Sequence, residues 1–319
     1  MYKIVFAGTP DFAVPSLQAC LESSHEVCAV YTQKDRPKGR GQILTPSPIK
    51  KLAESADIPV HTPLNFKDPD VIATLAAYKP DLIIVVAYGM ILPQAVLDIP
   101  VLTCLNVHAS LLPRWRGAAP VQAAIIAGDS ETGVSIQRMV LGLDEGDVML
   151  EKRTGIEPEE TAKDLMERLA ELGGEALVQA LDQLDLGTAK FIPQDPNSVT
   201  MTRKIRKQDG RLDWSLDPSA LRRHVRAMNS WPGASTHLPG GKALTVLALK
   251  ESSSTNEPPG TFLGGPGFRV ACGKGSATGS NSVDLLQVKP AGKSAMDGAA
   301  FLRGSRLTPG DLLGAETTS

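Results

Sequence analysis

Aromatic side chains make up only 4% of the 319 residues, against an apolar fraction of 42%. Cores must therefore be packed mainly by aliphatic side chains, in a chain long enough for two domains of ordinary size. Cysteine is also scarce. Cys20, Cys28, Cys104 and Cys272 are scattered with no C-x-x-C spacing, which argues against a zinc knuckle and a disulfide framework and fits a reducing, cytoplasmic setting. No residue set would hold a metal well, so none is expected. Charge of one sign is lacking too: the formal net charge is −2. That predicts no global attraction to nucleic acid and leaves any such binding to local patches. No apolar run is long enough to span a bilayer, and residues 3–7 open the chain as a strand without a signal or transit peptide, so no membrane contact is expected. Glycine is missing where a dinucleotide site needs it. The first strand ends at Gly8-Thr9-Pro10, and a lone Gly8 cannot bring backbone to a pyrophosphate as G-x-G-x-x-G does.

What is present reads as α/β. A buried strand over residues 3–8, a helix started by Pro15 and a strand over 27–32 open a doubly wound, mostly parallel sheet. Residues 82–88 (LIIVVAY) form a continuous apolar run, as expected of a central strand covered on both faces. Gly89 ends it, which puts Tyr88 and Gly89 near the same sheet edge as Gly8 and His108. Between them, residues 33–48 are basic and rich in glycine and proline, with no apolar period. Composition fits an exposed, mobile connector; position, after a strand at the carboxyl edge, fits a ligand loop. Residues 161–184 carry apolar side chains every three to four positions, with Thr161 as N-cap and Asp164 placed close to a capping box.

Residues 104–120, CLNVHASLLPRWRGAAP, organise the rest. Asn106 and His108 stand two apart on an apolar strand, so both project from one face at its carboxyl end. An amide there can donate to a developing oxyanion, and an imidazole can move a proton near neutral pH. On its own the pair is also compatible with a capped edge or a satisfied core histidine. Downstream, residues 141–147 form a glycine-bracketed acidic loop holding Asp144, a surface turn or a weak cation site by composition alone.

The string Asn-x-His-x-Ser-Leu-Leu-Pro-x-Trp-Arg-Gly-x-x-Pro resembles the signature of the 10-formyltetrahydrofolate-dependent formyltransferases. The opening Phe-Ala-Gly-Thr-Pro-Asp-Phe, the basic loop, Val86-Ala87-Tyr88-Gly89 and residues 209–215 (DGRLDWS) resemble the methionyl-tRNA formyltransferases among them. The resemblance covers nearly the whole chain. It implies a Rossmann-like catalytic domain over residues 1–187, a basic interdomain linker over 188–205, and a small OB-like β-barrel over 206–319 that binds tRNA. It further implies Asn106, His108 and Asp144 as the catalytic group, with Tyr88, Gly89, Ser110, Leu111, Leu112 and Pro113 shaping a folate pocket. The formyl donor would be 10-formyltetrahydrofolate, the acceptor initiator methionyl-tRNA, and the enzyme a monomer.

The second half carries the cations such an acceptor needs. Lys204, Arg206, Lys207 and Arg211 cluster around a single acid, Asp209, and Arg36, Lys38 and Arg40 lie in the first basic loop. Short β-prone pieces separated by glycine-rich turns follow, which is the pattern of a small barrel. A sugar-nucleotide formyltransferase would share the catalytic group, but a nucleotide sugar needs few cations. A non-enzymatic RNA-binding protein would explain the basic segments and leave Asn106, His108 and Asp144 unexplained.

Overall fold

Buried aliphatic runs set the central sheet of the computed structural model, which describes residues 1–38, 41–275 and 279–314. Its strands are β1 (Lys3–Gly8), β2 (Glu26–Tyr31), β3 (Arg36–Lys38), β4 (Ile43–Thr45), β5 (Val60–His61) and β6 (Leu82–Val86). They continue with β7 (Thr103–His108), β8 (Arg116–Gly117), β9 (Glu131–Arg138), β10 (Val148–Gly155) and β11 (Met201–Thr202). The later part holds β12 (Ala234–His237), β13 (Ala243–Glu251), β14 (Arg269–Ala271), β15 (Ser282–Pro290) and β16 (Met296–Asp297). The helices are α1 (Val14–Glu22), α2 (Pro48–Ser55), α3 (Pro69–Ala77) and α4 (Gln94–Leu97), then α5 (Pro120–Ala127), α6 (Ala162–Asp185), α7 (Pro218–Ala227) and α8 (Gly298–Arg303).

Contacts divide the chain into two units. The first comprises Met1–Pro120, Glu131–Gly155 and Leu165–Arg203; the second comprises Val121–Ser130, Ile156–Asp164 and Lys204–Ser319.

In the first unit a seven-stranded sheet runs in the order β10-β9-β7-β6-β1-β2-β5. β1 is parallel to β2 and β6, β6 to β7, and β2 to β5, while β9 and β10 join antiparallel. The expected mostly parallel sheet is present. Every residue of β6 is buried, as its unbroken apolar sequence requires of a strand covered on both faces. In register Gly8 lies opposite Val86 and Val85 opposite Asn106, so the carboxyl ends of β1, β6 and β7 share one edge. α6 packs through Leu165, Leu169, Leu177 and Leu181. Its Gly173 lies so close to the sheet that a Cβ would sit 3.0 Å from Val107. Thr161 and Asp164 exchange the hydrogen bonds of a capping box, 3.1 and 3.3 Å long.

Three features differ from the sequence reading. The basic segment after β2 is a short hairpin rather than an irregular loop: β3 pairs antiparallel with β4. Ile43-Leu44-Thr45 supplies a β-prone arm, and Gln42 adopts a left-handed φ of 48° beside the turn. Its base is tied by a 2.8 Å Thr32–Ser47 bond and a 2.9 Å Lys50–Asp35 ion pair. β10 extends the sheet beyond anything the periodicity signalled, because its outer half, Glu151 to Gly155, is polar. Residues 192–202 are bound along the first unit: Ile192 bridges Val148, and β11 pairs in parallel with β8.

The second unit contains a five-stranded antiparallel sheet in the order β12-β13-β15-β14, with β16 on β15. Trp214 is buried against it and donates its indole N–H to Thr236 Oγ1 at 3.1 Å. α7 carries arginines that donate to backbone carbonyls, one at the end of α5 and one ahead of α6. Arg223 donates to Ile126 at the end of α5 and Arg226 to Glu160, at 3.0 and 2.8 Å. All four cysteines are free. Among the described residues no helix is long and apolar enough to cross a membrane.

Candidate active site

At the carboxyl edge of the parallel strands, β7 ends with half-buried Asn106 and buried His108. The loop after β9 returns Asp144 to the same point. Gly146 in that loop is obligatory in space, since a Cβ would collide with the Arg138 carbonyl. Asp144 itself takes a left-handed φ of 53°, a conformation in which Asp is among the better tolerated residues. Asn106 Nδ2 stands 3.5 Å from Asp144 Oδ1, and His108 Nδ1 stands 3.6 Å from the same oxygen. The three residues singled out in the sequence are thus brought together.

The carboxylate is held by other donors. Gln137 Nε2 donates to Oδ1 at 2.9 Å and the Gly117 backbone N–H donates to Oδ2 at 2.9 Å. Gln137 sits directly across the ladder from Asn106 and is buried. His108 Nε2 lies 2.9 Å from the Trp115 carbonyl oxygen. A carbonyl only accepts, so Nε2 carries the proton in either charge state, and the nitrogen that gains and loses one is Nδ1. At 3.6 Å Nδ1 has no direct hydrogen bond to Asp144 and faces it across a gap at the sheet edge. Backbone, not carboxylate, fixes the ring's tautomer. Trp115 reaches that position with a φ of 62°, an uncommon conformation for so large a side chain and one that clusters at functional sites. Its own N–H donates to Thr200 Oγ1 at 3.0 Å. Cys104, on the same strand, is no candidate nucleophile: burial pushes its thiol up to about 12.

Two family models match this chain. Residues 2–181 match "Formyl transferase" and residues 204–306 match "Formyl transferase, C-terminal domain". The chain belongs to the formyl transferase family. Among its relatives, the methionyl-tRNA formyltransferase of Methylobacterium sp. is 47% identical over 313 residues, covering 98% of this chain and 99% of the relative. Solved structures share its fold, two of which illustrate the likeness. WlaRD, a sugar 3N-formyl transferase, aligns with a TM-score of 0.63 at 16% identity, over 92% of this chain and 99% of that one. HypX from Aquifex aeolicus in complex with tetrahydrofolic acid aligns with a TM-score of 0.58 at 22% identity, over 94% of this chain. The formyl transferase chain spans about half of HypX, 47% of its length.

The remaining candidates of this formyl transferase are placed unevenly. Leu112 and Pro113 line a cavity of about 320 Å³ together with Met149, Leu150, Ile192 and Gln194. Ser110 is buried and its hydroxyl donates to the Arg114 carbonyl at 2.6 Å, while Leu111 is half-buried. Tyr88 belongs to the buried core cluster that includes Val5, Phe66 and Leu75, and burial pushes its phenol above the usual range. Only backbone faces the edge here: the Tyr88 carbonyl accepts from Thr9 Oγ1 and Gln33 Nε2, and the Gly89 carbonyl accepts from Gln33. Arg36 is exposed on β3 and donates to Gln33. The Lys38 side chain and all of Arg40 lie outside the described residues. In the second unit Lys204, Arg206, Lys207 and Arg211 are exposed. Among the described residues no group of three or more His, Cys, Asp or Glu side chains is placed to hold a metal ion.

Residue types alone did not reveal Gln137, Ser135, Trp115 and Gln194 as part of this centre. A signal existed for two of them. Ser135 and Gln137 alternate with Val134 and Ile136 on β9, yet all four are buried. Polar residues at i and i+2 in a strand buried on both faces must be meeting specific partners.

Proposed function

We propose that this chain transfers the formyl group of 10-formyltetrahydrofolate to the α-amino group of methionyl-tRNA, the step that prepares the initiator for translation. The observation that carries the reading is the meeting of Asn106, His108 and Asp144 at one sheet edge, in a chain 47% identical to a methionyl-tRNA formyltransferase along nearly all of both sequences.

The amine attacks the formyl carbon, forming a C–N bond and a tetrahedral oxyanion. Asn106 donates its side-chain N–H to that oxyanion; losing one such donor costs roughly 10²–10³ in rate. His108 takes the proton released by the attacking amine on Nδ1 and passes it to N10 as the C–N10 bond breaks, leaving tetrahydrofolate and formylmethionyl-tRNA. Asp144 favours the imidazolium that exists between those two transfers. Leu112 and Pro113 belong to the wall of the folate pocket, with Ser110, Leu111, Tyr88 and Gly89 holding the backbone that frames it.

Residues 1–187 form the catalytic part, 188–205 the linker and 206–319 an OB-like barrel that engages tRNA as a monomer. Lys204, Arg206, Lys207 and Arg211, with Arg36, Lys38 and Arg40, meet its phosphates. The deciding assay follows radiolabelled formyl from 10-formyltetrahydrofolate onto methionyl-tRNA, with a nucleotide amino-sugar offered as competitor. Labelled methionyl-tRNA with unlabelled sugar is expected; preference for the sugar would overturn the acceptor. His108→Ala should lower kcat by about 10²–10⁴ and leave tRNA affinity nearly intact, and near-normal turnover would remove the catalytic assignment.

A further inference from the structure

The left-handed turn at Asp144 is braced from outside its own loop. Gln194, from the segment that follows α6, reaches across and donates from Nε2 to two carbonyl oxygens, Asp144 O at 2.8 Å and Gly146 O at 2.7 Å. Those carbonyls flank Glu145, so one amide group spans the turn. Its acceptor end is used as well: Arg116 Nε donates to Gln194 Oε1 at 3.0 Å. Arg116 is itself 9% exposed and stands 3.6 Å from Glu145 through Nη1. The amide orientation is therefore fixed by chemistry. Oε1 must face the guanidinium, which only donates, and Nε2 must face the carbonyls, which only accept.

We infer that Gln194 is a positioning residue for the formyl transfer, acting through Asp144. The inference rests on the assignment of Asp144 to the catalytic group. A carboxylate at a φ of 53° has a soft backbone beneath it, because the left-handed well competes with the more populated right-handed and extended ones. Two hydrogen bonds, to the carbonyls of Asp144 and Gly146, fix the peptide groups that leave the turn and so favour that well. They thereby set where the carboxylate meets Asn106 and His108. Angstrom-scale misplacement of such a group costs rate rather than binding. The same short segment also supplies Thr200, which accepts from the Trp115 N–H, while the Trp115 carbonyl fixes His108. Both the acid and the histidine of the site thus lean on residues 194–200.

Three variants test this in the full chain with methionyl-tRNA and 10-formyltetrahydrofolate. Gln194→Glu keeps the shape and the acceptor for Arg116 but removes both donors. Gln194→Leu removes all polar contacts. Each should lower kcat about 10–100-fold with KM for methionyl-tRNA within about twofold, the pattern of an interaction realised in the transition state. In an Asp144→Gly background, which loses the carboxylate at a φ that glycine adopts freely, Gln194→Leu should cause no further loss. Wild-type kcat in Gln194→Glu would overturn the inference. So would a full further loss from Gln194→Leu in the Asp144→Gly background, since that is the mark of a merely structural role. Near-normal turnover of Asp144→Gly alone would instead overturn the catalytic assignment beneath it.

Discussion

At the level of single residues, the site is built from side chains whose types are visible in the sequence and backbone groups whose places are not. Asn106 and His108 stand out because two polar groups on one face of an apolar strand must each meet a partner. Asp144 stands out less, and only its glycines mark the loop as special. The Trp115 carbonyl and the Gly117 N–H were not legible, since they become functional only when β8 lies beside β11, 85 residues later by the Trp115–Thr200 bond. Gly117 shows how tightly that contact is drawn. Its φ is 110°, and a Cβ would collide with the Thr202 carbonyl. Gly117→Ala should therefore destabilise the chain by about 1–3 kcal/mol through strain alone. It should also lower kcat, because the same residue donates to Asp144. A urea midpoint and a turnover number equal to wild type would mean that β8 can move aside without cost to the site.

Elements explain why the residues meet. β7 is clamped between β6 on one side and β9 on the other, and Ser135 of β9 joins the site to that frame. Its hydroxyl donates to the Ser110 carbonyl at 2.7 Å and accepts the Leu112 N–H at 3.0 Å, fully buried. Ser135→Ala would leave both backbone groups unsatisfied, at a cost of about 1–3 kcal/mol, and loosen the turn that carries Leu112 and Pro113. KM for the folate should rise more than KM for tRNA; unchanged folate KM would separate this turn from the donor pocket. The parallel strands and α6 were readable from their long apolar runs and from the three-to-four residue period. β3 and β4 were not, because a three-residue arm is too short to show a period, and their charged neighbours dominate the composition. Ser135 is the instructive miss: its polarity was visible, and only full burial on both faces makes that polarity a demand for partners.

For the molecule as a whole, titration and charge give two further tests. In the second unit burial holds the His224 imidazole below its ordinary value of 6.5, against the opposing pull of the Gly210 backbone, Asp209 and Asp213. The unfolded chain then binds the proton more readily than the folded one, so this contribution to stability is present above about pH 6.5 and is lost as pH falls below it. Unfolding midpoints should drop less between pH 7 and pH 5.5 in His224→Leu than in the parent chain; equal slopes would place the acid sensitivity elsewhere.

The last test concerns a chain of net charge −2 that must hold a polyanion. With no global field to draw tRNA in, the proposed phosphate contacts include the exposed cluster Lys204, Arg206, Lys207 and Arg211, each contact releasing counterions. Log K should then fall linearly with log salt, with a slope of about −0.7 to −0.9 per phosphate neutralised. Replacing Lys207 and Arg211 together by Gln should flatten that slope by about one to two units. Turnover at saturating tRNA should stay near the parent value, because neither residue belongs to the group at the edge of β7. A slope left unchanged by the double substitution would return residues 204–211 to the role of a solvated connector. A fall in kcat at saturation would mean that this cluster also orients the aminoacyl end.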